Sequence, residues 1–237
     1  MRLDKFLVSQ NIGSRKEASQ LCRSGRVTVN GTIVKNSDLR IDAEKDIVCL
    51  DNTALTYSEH IYIMMNKPKG VLSASEDKKS VTVVDLVPEE WRRKDIFPAG
   101  RLDKNTTGLL IITDDGDFAH RMLAPKSHVW KLYRAELDLP CDERDIELFA
   151  EGIVSGENKF LPAELTFQDP DNRRVALVRI REGKFHQVKR MFSSCGKEVI
   201  ELKRLSAGDL ELDPTLSEGE CRLLTEEEKD KIFVHNQ

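Results

Sequence analysis

The stretch GRLDKNTTGLLIITDDG, residues 100–116, constrains this chain of 237 residues more than any other. Its run LLIIT, 109–113, is apolar up to its final threonine, so it reads as a strand that needs buried structure around it. A segment leading into such a strand has its backbone held while its side chains remain free to face a cleft. Asp103 lies in that segment. A lone Asp in a loop is more often a turn cap or a partner for a neighbour such as Arg101, and position alone favours that use. Asp114 and Asp115, followed by Gly116, read first as a turn and a helix start.

The rest of the chain supplies enough apolar material for that burial. Hydrophobic residues make up 39% and charged residues 33%, the balance of a globular protein with a well-solvated surface. No apolar run reaches the length of a membrane span, and the start MRLDKFLVSQ lacks the apolar core of a signal peptide, so a cytoplasmic protein without a membrane is expected. Five scattered cysteines without a CxxC pair suggest packing residues, not a disulfide framework or a zinc site. HExxH, phosphate-loop and dinucleotide motifs are all missing, and NKPKG at 66–70 is too short to cradle a nucleotide. No metal and no cofactor are expected.

The formal net charge is −4, but it is unevenly spread. Residues 1–40 carry eight basic and three acidic side chains, whereas 205–237 carry three basic and nine acidic. The basic end has its own pattern. Leu3, Phe6 and Leu7 have helical spacing, and Ser14 with Glu17 forms a capping box for a second helix that buries Ala18, Leu21 and Cys22. Gly25 ends that helix, and VTVNGTIV places Asn30-Gly31 between two alternating runs, a hairpin signal. Arg2, Lys5, Arg15, Lys16, Arg23 and Arg26 fall near the helix ends and exposed faces. They either track a nucleic-acid backbone or form an ordinary solvated face, and charge alone weighs the two equally.

Residues 51–60 are polar and weakly patterned and read as a linker. Beyond them, strands are expected at 61–66, 109–113, 131–137, 174–180 and 198–204, with helices at 117–124, 142–151 and 185–195. The fold class is therefore α+β, a small helix-helix-hairpin domain at 1–58, with its linker, followed by a domain at 59–237 built on a mixed, mainly antiparallel sheet. In EGKFHQVKRMF, 182–192, a helix would gather Phe185, Val188 and Phe192 on one face and leave Lys189 and Arg190 beside a site. His186 invites a general-base reading, yet a lone His in a basic helix is more often structural. Tyr133 in KLYRAEL lies on the opposite face from Leu132, where it either packs or stacks on a base.

Taken together, these motifs resemble known families. MRLDKFL followed by SRKEASQLCRSGRVTVNG resembles the small S-four-type RNA-binding module. GRLDKNTTGL, with MNKPKG, TDDG and EGKFHQVKRMF in order, resembles the pseudouridine synthases, specifically their ribosomal small-subunit branch. The resemblance implies that Asp103 is the catalytic nucleophile, that Tyr133 stacks on the target uracil and that Lys189 pairs with Asp103. It further implies that Arg101, Thr106, Thr107, Arg190 and Met191 bind substrate, Arg101 holding the space left by the flipped nucleotide and Met191 forming an apolar wall. Leu109, Ile111 and Met191 would build a dry cleft. The family often has Arg where this chain has Lys189, and a lysine offers a point charge instead of a bidentate fork. The implied partner is ribosomal RNA or a pre-ribosomal particle, bound by a monomer. Small-subunit RNA is favoured, with a large-subunit target, a non-catalytic RNA-binding protein and a carboxylate-pair glycosidic hydrolase as the alternatives.

Overall fold

The computed structural model describes residues 1–124, 127 and 129–233. It divides into two compact units, one of residues 1–61 with 88–95, the other of residues 62–87 with 96–237. The return of 88–95 to the first unit has no counterpart in the sequence reading.

In the first unit, α1 (Leu3–Ser9) packs on α2 (Arg15–Arg23), which opens on the expected capping box: Glu17 N donates to Ser14 Oγ at 3.3 Å and Ser14 N to Glu17 Oε2 at 2.6 Å. Gly25 follows at φ +77°. Strands β1 (Val27–Val29) and β2 (Thr32–Ile33) form the hairpin, with Asn30 and Gly31 both at positive φ as its two-residue turn demands. A second hairpin, β3 (Val48–Leu50) and β4 (Thr53–Leu55), completes a four-stranded sheet in the order β2-β1-β3-β4. The linker reading of 51–60 is therefore corrected. Asp51 and Asn52 both take left-handed φ and turn the chain back into an edge strand, and Tyr57 stacks on Phe6 at 5.7 Å. The core is Leu3, Phe6, Leu7, Ala18, Cys22, Val27 and Val48, with Leu21 only partly buried.

In the second unit the strands are β5 (Tyr62–Lys67), β6 (Phe97–Pro98), β7 (Thr107–Thr113), β8 (Lys131–Leu137), β9 (Val154–Ser155), β10 (Asn158–Lys159), β11 (Glu164–Phe167), β12 (Val175–Ile180), β13 (Val199–Ala207), β14 (Leu210–Glu211) and β15 (Cys221–Leu223). The helices are α3 (Gly116–Leu123), α4 (Glu143–Glu151), α5 (Gln187–Ser194) and α6 (Glu226–Lys231). The main sheet runs β11-β12-β8-β13-β7-β5-β15, with β14 on β13 and β6 on β7; β9 and β10 pair as a separate hairpin. Among the described residues of this sheet only β13 and β7 pair in parallel, so the sheet is mainly antiparallel as expected.

Every residue of β7 is buried, which is what its apolar composition requires. Leu109 and Ile111 pack with Met64, Phe118 and Met122. The parallel join depends on Gly108. At φ +98° its Cα lies so near β13 that an added Cβ would meet Arg204 O at 2.2 Å. Arg204, also buried, secures the same join by donating from Nε to Leu109 O at 2.7 Å.

Candidate active site

The turn that carries Asp103 is fixed from three sides. Thr106 N donates to Asp103 O at 3.0 Å, and the Ser73 hydroxyl pairs with both main-chain groups of Leu102. The third support is Lys67 at the end of β5, which is fully buried. Its ammonium donates to the carbonyls of Pro68 at 3.0 Å, Lys104 at 3.1 Å and Thr106 at 3.0 Å. Burial pulls the Lys67 amine down to about 8, against the opposing fields of Asp103 and Glu218. The cost of that burial is offset by three charge-assisted hydrogen bonds, which tie together carbonyls of two separate loops.

Asp103 projects from this turn into a narrow cleft of about 50 Å³, with its side chain 26% exposed. Its Oδ1 lies 3.5 Å from His186 Nε2 and its Oδ2 3.7 Å from Lys189 Nζ, ion-pair distances too long for good hydrogen bonds. The polar lining includes Arg101, Thr106, Tyr133 and Lys184; the apolar walls are Leu102, Ile180, Val188 and Leu202. Tyr133 is buried on the face of β8 that also carries Lys131 and Ala135, while Leu132 and Arg134 lie on the half-exposed face, so the expected alternation holds. Thr106 Oγ1 is buried with no hydrogen-bond partner among the described residues, an uncompensated polar atom at the cleft.

Other candidates lie elsewhere. Leu109, Ile111 and Met191 do not line the cleft: the two strand residues pack against Phe118, and Met191 is fully buried with its Sδ accepting from Gln187 Nε2 at 3.8 Å. Thr107 sits within β7, outside the lining. Arg190 is occupied: its Nη2 donates to Ser155 O at 2.7 Å, and its guanidinium lies 5.4 Å from the centre of the Phe160 ring. Phe185 does not join the face of α5, because the helix begins only at Gln187 and Phe185 is 74% exposed. Asp115 is structural, capping α3 through Phe118 N at 2.9 Å and accepting from Tyr62 Oη at 2.6 Å.

No sequence signal marks Lys67, Ser73 or Gln187, and His186 reads as structural from its place in a basic helix. Gln187 shapes the loop before α5, its Oε1 accepting from Lys184 N at 3.1 Å and its Nε2 donating to Glu182 Oε1 at 2.9 Å. Among the described residues, no group of three or more His, Cys, Asp or Glu is placed to hold a metal ion, and no helix is long and apolar enough to cross a membrane.

In the first unit, Arg2 is spent on Asp4 and Asp38, and Arg26 on Asp51. Lys5, Arg15, Lys16 and Arg23 are exposed without an ion pair among the described residues. Lys5 and Arg15 line a cavity of about 350 Å³ with Arg2 and Arg40.

The cleft sets the carboxylate of Asp103 beside Tyr133, the His186 imidazole and the Lys189 ammonium, between apolar walls. Comparison with known proteins gives the class. Residues 61–194 match the model of the RNA pseudouridylate synthases and residues 1–48 that of the S4 domain. The chain belongs to the RNA pseudouridylate synthase family, isomerases that act on RNA uridine.

It is 45% identical to an uncharacterized RNA pseudouridine synthase, YtzG, of Bacillus subtilis, over 96% of each chain. To the ribosomal small subunit pseudouridine synthase A of Vibrio cholerae it is 43% identical, over 98% of this chain and all of that one. A solved structure described as a pseudouridylate synthase superposes with a TM-score of 0.68 at 36% identity, covering 98% of this chain and 99% of the other.

Proposed function

We propose that this enzyme converts one specific uridine of small-subunit ribosomal RNA to pseudouridine, with Asp103 as the nucleophile. The observation that carries the reading is the pairing of the Asp103 carboxylate with His186 and Lys189 in the cleft that Tyr133 also lines. The isomerisation breaks the bond between ribose C1′ and base N1, turns the base and rejoins it through C5, so the base must be caged throughout. Asp103 attacks either the sugar or the base, or assists glycal formation. Leu102, Ile180, Val188 and Leu202 hold the detached ring, Tyr133 stacks on it, and Thr106 Oγ1 offers a hydroxyl without a partner among the described residues. The cleft is narrow, so the base enters as the exposed side chains at its mouth give way.

Extruding the target from its stack costs a few kcal/mol, roughly, which backbone contacts offset. Lys5, Arg15, Lys16 and Arg23 of the first unit supply those contacts in this reading, and the enzyme acts as a cytoplasmic monomer. The small-subunit assignment is supported by the near full-length likeness to the Vibrio cholerae protein. Pseudouridine mapping of ribosomal RNA from cells lacking the protein tests it: loss of one small-subunit site is expected, and loss of a large-subunit site instead would overturn the assignment. Lys16→Ala with Arg23→Ala should weaken RNA binding and flatten its dependence on salt. An unchanged salt slope would remove the first unit from the phosphate contacts.

A further inference from the structure

The two oxygens of Asp103 are met by two different side chains from one turn of chain. His186 Nε2 faces Oδ1 at 3.5 Å and Lys189 Nζ faces Oδ2 at 3.7 Å. Both come from the start of α5, His186 as its N-cap and Lys189 in its first turn. A lysine ammonium is a point charge, whereas an arginine grips both oxygens of a carboxylate in one planar fork. Lys189 alone therefore leaves the plane of the Asp103 carboxylate free to rotate.

We propose that His186 is the second arm of a divided fork, a positioning residue that fixes the carboxylate plane of Asp103 while Lys189 supplies the permanent charge. The inference rests on the reading of Asp103 as the nucleophile. Three further observations support it. His186 is the N-cap of α5, yet its side chain makes no capping hydrogen bond, so the imidazole is not used for the helix end. Its backbone is left-handed, φ +51° and ψ +30°, a conformation uncommon outside glycine that turns the side chain out of the helical series. Phe185 stacks on the imidazole at 3.8 Å with 18° between the planes, and Gln187 braces the preceding loop through Glu182 and Lys184. Ring and backbone are both restrained where Nε2 meets Asp103.

The test is turnover on small-subunit ribosomal RNA by four proteins: wild type, His186→Asn, Lys189→Arg and the double variant. Asparagine is chosen because it tolerates the left-handed backbone and keeps the loop intact. In the wild-type background His186→Asn should lower kcat about 10- to 30-fold with KM within about twofold, the pattern of a misaligned nucleophile. In the Lys189→Arg background the same change should cost less than about threefold, because a guanidinium takes both oxygens. Equal losses in the two backgrounds, or no loss in the first, would overturn the proposal.

A second measurement does not depend on turnover. The imidazole ¹⁵N resonances of His186 in the full chain should move on Asp103→Asn, while those of His60 and His120 stay in place. Unmoved His186 resonances would overturn the contact. If the wild type forms no pseudouridine, the substrate reading fails, and the resonances still decide whether His186 holds Asp103.

Discussion

Ser73 and Leu102 hold each other through a single hydroxyl: Ser73 Oγ donates to Leu102 O at 2.9 Å and accepts from Leu102 N at 3.1 Å. Both ends are buried, and the next residue is Asp103. Ser73→Ala would leave a buried N–H and a buried carbonyl unpaired, at a cost of about 1–3 kcal/mol each where water cannot reach them. Denaturant unfolding should show the loss, and kcat should fall more than RNA affinity. A variant as stable and as active as the wild type would mean that the Asp103 turn is held by other contacts.

Lys67 gives the site a dependence on alkaline pH. Its folded-state pKa is lowered from 10.5 to about 8 by burial, so between these values the folded protein binds fewer protons than the unfolded chain. The burial penalty is fully present below about 8 and is relieved as pH rises toward 10.5. The stability of the wild type relative to Lys67→Met should therefore increase across that window. A difference that stays flat or falls would show that Lys67 is not desolvated as its burial implies.

Thr106 separates a binding role from a packing role. Its buried hydroxyl has no partner among the described residues, so Thr106→Val keeps the shape and removes an uncompensated polar atom. The melting temperature should hold or rise slightly, while kcat/KM should drop about 5- to 30-fold, the worth of roughly one hydrogen bond to substrate. Unchanged kinetics would take the hydroxyl out of substrate binding.

Much of this was legible in the residues. The Ser14–Glu17 box, the Asn30-Gly31 turn and the apolar β7 are local signals, and local chemistry dictates each. The second hairpin was hidden because Asp51-Asn52 is a weaker turn signal than Asn-Gly and the strands beside it are only three residues long. An apolar run does not show which neighbours its alternate side chains meet, so the sequence does not reveal that Leu109 and Ile111 lie away from the cleft. They meet Phe118. Lys67 could not be read at all, since a lysine becomes a buried clamp only when carbonyls from 68, 104 and 106 converge on it. The aim of His186 depends on a left-handed backbone at the helix start, which no periodicity encodes.

The central claim is that Asp103 carries the reaction. Asparagine at 103 keeps the size and polarity of the side chain while removing its charge, so the turn held by Ser73, Lys67 and Thr106 should survive. Pseudouridine formation by Asp103→Asn on small-subunit ribosomal RNA, measured alongside RNA affinity, is the direct test. Product should vanish while affinity stays within about threefold, since this change removes catalysis and leaves the binding contacts in place. Pseudouridine formed at an appreciable fraction of the wild-type rate would contradict the account and move the chemistry to another residue.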